Sequence, residues 1–188
     1  MCDNELRSGR PFGGCAIVLN NCLKCHFSPI HISNRCCGGV LKINNVSILL
    51  FNSYMPCDTS YDYDNCDIFQ NILNDISSIC SEYEHIDYVI IGGDFNTDLR
   101  RVTSLHTQAL NVFVQNEELK FCDMSDKANI IYTYENVSAS TESIIDHFIV
   151  SDNLFRNIIG YRSLHDGNNL SDHVPILLTL NIVAEREQ

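Results

Sequence analysis

Apolar stretches separated by short polar clusters run through the chain, and the spacing of the apolar positions changes from one stretch to the next. Phe12 to Asn20, Gly39 to Ile43 and Val46 to Tyr54 are rich in Ile, Val and Leu, a pattern that predicts buried strands. The pair Asn44-Asn45 between the last two predicts a hairpin turn. From Asp64, a candidate N-cap, residues Ile68, Phe69, Ile72, Leu73, Ile76, Ile79 and Cys80 recur at the spacing of one helical face. Tyr88 to Ile91 predicts a short buried strand entering Gly92-Gly93, and Ser104 to Glu118 predicts a second amphipathic helix. Ile130 to Tyr134, Ile144 to Val150, Asn157 to Leu164 and Val174 to Val183 predict a strand-rich C-terminal half. Strands outnumber helices, so the economical architecture is an α/β fold. It is expected as a layered α/β sandwich, two mixed sheets flanked by helices, with its chemical loops gathered at one end.

Composition narrows the classes of function. The 188 residues contain no repeat, low-complexity tract or linker, which predicts one domain. No apolar run reaches the length of a membrane span, and the start Met1-Cys2-Asp3-Asn4-Glu5 is polar and acidic. The chain is therefore expected to be soluble, intracellular in nucleus or cytoplasm, not secreted and without a membrane partner; no feature points to a protein partner. Ten cysteines in such a chain are expected as reduced thiols, mostly buried. Cys22, Cys25, His26, His31, Cys36 and Cys37 can be drawn as a zinc site, but the second cysteine pair is adjacent and the segment reads as hairpin strands. The net charge of −12 opposes a polyanionic partner unless local basic residues or bound cations reverse the field at the binding face.

Four polar clusters each lie at the end of an apolar stretch, where side chains can leave a sheet and converge on a cleft. They are Asn52 to Pro56, Gly92 to Asn96, Ser143 to His147 and Leu170 to Pro175. In the second, two glycines allow a tight turn and Asp94 and Asn96, two residues apart, can point to the same side. The acid can orient or deprotonate a water and the amide can donate to a phosphate oxygen; an ordinary turn with capping Asp and Asn is the competing account. Asp172-His173 joins a hard oxygen ligand to a group that can be cationic at a phosphate, with a satisfied core or surface histidine as the alternative. Tyr54, on its own, reads first as a core aromatic at a strand end with its hydroxyl tied off. Asp146 stands inside an apolar strand, where an unpaired carboxylate is costly, and a partner such as His173 is expected.

Taken in order, Tyr54-Met55-Pro56, Gly93-Asp94-Phe95-Asn96, Ser143-Ile144-Ile145-Asp146-His147 and Ser171-Asp172-His173-Val174-Pro175 resemble the endonuclease/exonuclease/phosphatase superfamily. Arg10 to Ile17 and Tyr132-Thr133-Tyr134 look like its LINE retrotransposon branch, which is similar to apurinic/apyrimidinic endonucleases. The resemblance implies a metal-dependent phosphodiester hydrolase acting on DNA by in-line attack of water. Asp94 would position or activate that water and share in metal binding. Asn96 and Tyr54 would contact the phosphate, and His173, paired with Asp146, would stabilise its developing charge. Asp172 would help bind Mg2+ or Mn2+. The superfamily also carries an early strand with an active-site Asn and a following strand with a metal-binding Glu, and no residue here matches either; Glu5 sits in a polar leader. Residues 1–188 are thus expected to form one N-terminally incomplete domain lacking the first strands of the fold, with weak metal binding and little activity in isolation. The alternatives are a phosphoinositide or sphingolipid phosphoesterase of the same superfamily, and a non-catalytic remnant or interaction module.

Overall fold

The computed structural model describes residues 14–43, 45–58, 63–83, 85–165 and 169–182. After a 3-10 turn at Asn21–His26 come strands β1 (Phe27–Ser33), β2 (Cys36–Ile43) and β3 (Val46–Tyr54), helix α1 (Tyr63–Glu82) and strand β4 (Tyr88–Asp94). Helix α2 (Leu105–Asn116), strands β5 (Leu119–Phe121), β6 (Ala128–Asn129), β7 (Tyr134–Asn136), β8 (Thr141–Ser143) and β9 (Asp146–Ser151) follow. Helix α3 (Asp152–Phe155) and strands β10 (Ile158–Ser163) and β11 (Ile176–Leu180) complete the order.

Six strands form one mixed sheet in the order β1-β2-β3-β4-β9-β5, and three form a second, β11-β10-β6; β7 and β8 make a separate hairpin. The alternation of side chains along each strand builds the layers. Leu49, Phe51, Ile91 and Ile149 point to the face covered by α1 and α2, where Phe69, Leu73, Ile76, Leu110 and Phe113 complete the main core. Their neighbours Ile48, Leu50, Ile90, Phe148 and Val150 point the other way, toward Ile158, Tyr161, Ile176, Leu178 and Ile182 of the second sheet region. The result is the predicted layered α/β sandwich of mixed sheets, with the long helices on one face of the larger sheet. The inner strands of that sheet therefore carry apolar side chains on both faces, fully buried under the helices and partly buried on the other side, which is why their sequence shows apolar runs rather than strict alternation.

Several elements match their sequence signals and others correct them. The hairpin β2–β3 pairs Ile43 with Val46 and has Asn45 at φ 66°, the left-handed conformation that asparagine tolerates. Helix α2 is capped by Ser104, whose hydroxyl accepts from Thr107 N–H at 3.3 Å. Helix α1 starts at Tyr63, so Asp64 lies in its first turn rather than at the cap, and Ile68 is 40% exposed instead of joining the buried face. The expected strand Phe12–Asn20 is absent over residues 14–20. Gly14 takes φ +72°, and the segment is held by isolated bonds rather than a ladder: Asn52 Nδ2 to the Ala16 carbonyl at 2.9 Å, and Cys15 Sγ to the Arg35 carbonyl at 3.1 Å. Ile130 to Thr133 is likewise not a strand; pairing is confined to β6 before it and β7 after it. Val183, the end of the last predicted strand, lies outside the described residues, as does Asn44. The nine described cysteines are free thiols, and only Cys36 and Cys122 are buried, fewer than expected. Among the described residues no helix is long and apolar enough to cross a membrane.

Candidate active site

Strand β4 ends between β3 and β9, and this placement assembles the site. Parallel pairing sets Tyr54 beside Asp94, and antiparallel pairing sets Asp94 beside Asp146. Gly93 makes the exit possible: its φ is +143°, and a Cβ there would lie 2.0 Å from the Ser53 carbonyl oxygen, a position only glycine fits. Beyond it the chain is stitched on both sides, with Met55 N–H donating to the Asp94 carbonyl at 2.8 Å and Phe95 N–H to the Ile145 carbonyl at 2.9 Å.

Asn96 adopts φ 49°, and its N–H donates to Asp94 Oδ1 at 2.8 Å. Its carboxamide nitrogen donates to the Met55 carbonyl at 2.9 Å and faces Asp94 Oδ2 at 3.3 Å. The side chain expected to donate to a phosphate is here turned inward, and it braces Asp94. The acid is the half of this turn that faces the cleft, since the apolar groove of Leu50, Ile90, Phe148 and Ile176 opens at Asp94 and Asp146.

Asp146 and His173 are joined at 3.0 Å between Oδ2 and Nδ1, and His173 Nε2 lies 3.8 Å from Asp94 Oδ2. The backbone around them is fixed by Thr133, which is fully buried. Its hydroxyl accepts from Ile145 N–H at 2.9 Å and Asp146 N–H at 3.0 Å, and its carbonyl accepts from Val174 N–H at 2.7 Å. The Tyr134 ring lies 5.0 Å from the His173 ring, centroid to centroid. Tyr54 stands at the rim with the Arg35 guanidinium 5.4 Å from its ring centre. Arg35 also donates to the Tyr54 carbonyl at 3.3 Å.

The electrostatics follow from two acids sharing one strand end. Burial and the adjacent Asp146 carboxylate push Asp94 up to about 6, against the opposing pull of Asn96, His173 and His147. The hydrogen bond with the Asp146 carboxylate, against the opposing effect of burial, raises His173 from its ordinary value. Burial raises Tyr54, with Cys57 and Asp94 adding to it.

Asp94, Asp146 and His173 each offer one ligand atom, and these atoms all lie within 4.8 Å of one another. Two hard carboxylate oxygens fit a divalent cation such as Mg2+ or Mn2+, and an imidazole in the set suits Mn2+ the better of the two. A cation there would relieve the repulsion that raises Asp94. Asp172 is not in this trio; its charge reaches His173 and its carbonyl accepts from Glu135 N–H at 2.9 Å. Among the described residues the Cys22–Cys37 region forms no comparable group.

Sequence reading passed over His147. It is 1% exposed, with Nδ1 3.1 Å from Asp123 Oδ2 and Nε2 2.9 Å from the Thr97 carbonyl. Burial pushes its pKa down, but the Asp123 hydrogen bond and charge and the Thr97 carbonyl outweigh that and the net shift is upward. Its signal was present, since His147 adjoins Asp146 in one polar cluster, but Asp123 lies in a different stretch that carried no sign of a site.

The layered sandwich is the fold of solved structures of endonuclease/exonuclease/phosphatase family proteins. The chain belongs to the endonuclease-reverse transcriptase family, whose sequence profile matches residues 48–177. Its fold is similar to that of AP endonuclease LMAP from Leishmania major (TM-score 0.66, 14% identity, covering 80% of this chain and 55% of that one). It is also similar to the endonuclease domain of TRAS1, a telomere-specific non-LTR retrotransposon (0.64, 16%, 83% and 69%). A third similar structure is the 3′ phosphatase NExo from Neisseria bound to product DNA hairpin (0.60, 15%, 79% and 65%). The chain spans 53% of the length of an endonuclease/exonuclease/phosphatase family protein from Leptotrichia buccalis and 55% of the Leishmania protein. No curated protein sequence matches it.

Proposed function

We propose that this chain carries the phosphate-attacking residues of a metal-dependent DNA endonuclease of the retrotransposon type. The observation that carries the reading is the meeting of Asp94, Asp146 and His173 at three strand ends. Asp94, held by Asn96 through two hydrogen bonds to its carboxylate, is placed to orient the attacking water and to receive its proton. His173, oriented through Nδ1 by Asp146, presents Nε2 on the side facing Asp94, where it can donate to a phosphate oxygen as charge develops. Asn96 acts through Asp94, and Tyr54 lines the phosphate approach with Arg35 beside it. Asp94 and Asp146, with Asp172 nearby in sequence to His173, would hold the cation; when bound it offsets charge on the phosphate and on the leaving oxygen. DNA is the favoured substrate because the similar structures include an AP endonuclease, a retrotransposon endonuclease domain and an enzyme bound to product DNA.

The reading is of nicking that depends on Mg2+ or Mn2+. A supercoiled-plasmid assay tests it: nicking should require the metal and fall at least about 100-fold in Asp94→Ala and His173→Ala. Cleavage that survives either substitution ends this reading. Hydrolysis of a phosphoinositide or sphingolipid with plasmid untouched would transfer the site to lipid phosphoesters. A folded chain that neither binds Mn2+ nor cuts would be a non-catalytic remnant.

A further inference from the structure

We infer that His147 is a positioning residue: it ties the loop that carries Asn96, the brace of the Asp94 carboxylate, to strand β9 and to the turn after β5, and so fixes how that carboxylate is turned toward Asp146, whose backbone the sheet already pairs with it. The inference rests on the metal-site reading above. Side chains alternate along β9, so that Asp146 faces the cleft while His147 faces the body of the protein. Both ring nitrogens of His147 meet acceptors, the Asp123 carboxylate at 3.1 Å and the Thr97 carbonyl at 2.9 Å. The Thr97 carbonyl can only accept, so Nε2 carries hydrogen, and Nδ1 shares a second bond with the Asp123 carboxyl group, so the ring serves as a two-ended clamp. Its flanks are closed by Phe95 and Phe121, at 6.0 Å and 6.3 Å between ring centres.

The clamp joins three separate pieces of chain. Thr97 follows Asn96 in the Asp94 loop and is itself fully buried, its hydroxyl bonded to the Phe95 carbonyl at 2.8 Å. Asp123 lies in the 3-10 turn Cys122–Met124. His147 pairs in register with Gly93, one step from the Asp94 and Asp146 pair. The loop is also tied to this region by the bond from Phe95 N–H to the Ile145 carbonyl and by the backbone bond from Ile144 to the Asp98 carboxylate. Without the clamp the loop loses its tie at Thr97, and Asn96 can shift from the position in which it braces the Asp94 carboxylate, while the β4–β9 pairing stays. A phenylalanine would fill the same space among Phe95 and Phe121 but would strand the Thr97 carbonyl and the Asp123 carboxylate.

The test compares wild type with His147→Phe, His147→Gln and Asp123→Asn, after each is shown to unfold cooperatively. His147→Phe should weaken Mn2+ binding, read by isothermal titration, at least about 10-fold, the usual effect of losing a group that orients a metal ligand. His147→Gln, which can keep a donor toward Thr97, should recover most of that loss. Amide hydrogen exchange at Phe95 and Asn96 should accelerate in His147→Phe while α1 core amides stay protected. In the nicking assay the loss should fall on kcat with KM nearly unchanged. If His147→Phe does not fold, His147→Leu, which also leaves both acceptors unmatched, carries the same expectations, while Asp123→Asn, which keeps an acceptor for Nδ1, should lie close to wild type. Unchanged Mn2+ affinity together with unchanged exchange in a folded variant overturns the inference. A wild type that binds no Mn2+, whose loop exchange nonetheless accelerates in the variant, leaves the clamp standing and removes the metal-site reading instead.

Discussion

Replacing Asp94 by asparagine should make the metal-free protein more stable near neutral pH, although it removes the proposed base. Burial and the Asp146 carboxylate raise Asp94 from 3.8 to about 6. Two units correspond to about 3 kcal/mol of resistance to ionising this side chain in the folded state. The sign follows from linkage: a carboxyl whose folded pKa is raised gives its full contribution below the unfolded value, and that contribution is lost as pH climbs through the folded value. Asparagine has no charge to lose, keeps the acceptor for Asn96 N–H at Oδ1, and forfeits only the longer contact with the Asn96 carboxamide, at roughly 1 kcal/mol. Asp94→Asn should therefore be about 2 kcal/mol more stable than wild type at about pH 8 and about 1 kcal/mol less stable at about pH 4. For a chain of this size the gain at the higher pH is roughly 4–8 °C in melting temperature. Thermal unfolding by circular dichroism across that range, with chelator present, measures it. Saturating Mn2+ should then stabilise wild type alone and close or reverse the gap. A variant that is less stable at every pH, or a difference that does not change with pH, would refute the argument that two like charges are held together here without compensation.

Asp146→Asn removes both the group that raises His173 and the like charge that raises Asp94. The histidine cation persists only below its pKa, so the alkaline limb of nicking against pH should move to lower pH, and the acidic limb should move the same way. Limbs that stay fixed or move upward would dismiss the proposed acid-base pair; NMR titration of the His173 ring gives the same answer where nicking is too weak to follow. Gly93→Ala places a Cβ on the Ser53 carbonyl oxygen at a φ that alanine avoids and should cost more than about 3 kcal/mol or prevent folding, as judged by urea denaturation; a loss within about 0.5 kcal/mol would show that this strand end is not constrained as described.

The sequence made legible what depends on local periodicity. Helix α1, the β2–β3 hairpin and the capped helix α2 could be read because apolar spacing, a pair of asparagines and Ser104 each act within a few residues. The segment from residue 14 to 20 could not, because apolar composition does not say whether a partner strand exists, and here its bonds go to Asn52 and Arg35 side-chain and turn groups. The site divides in the same way. Asp94, Asp146 and His173 were visible as polar breaks at the ends of apolar stretches, and strand register brought them together. The inward turn of Asn96 was not visible, since the same residue at φ 49° can face either the cleft or the Met55 carbonyl, and only the backbone of the neighbouring strand decides between them. His147 shows the deeper reason. Its function, as inferred, depends on Asp123, a residue 24 positions away in a stretch with no motif, so no local pattern could mark the pair. A buried histidine is chemically defined by what its two nitrogens meet, and in this fold those partners come from the loop after β4 and the turn after β5. The residues proposed to act on the phosphate are thus the ones a strand end advertises, while the one inferred to position them is buried behind the sheet and becomes evident only when register and packing are known.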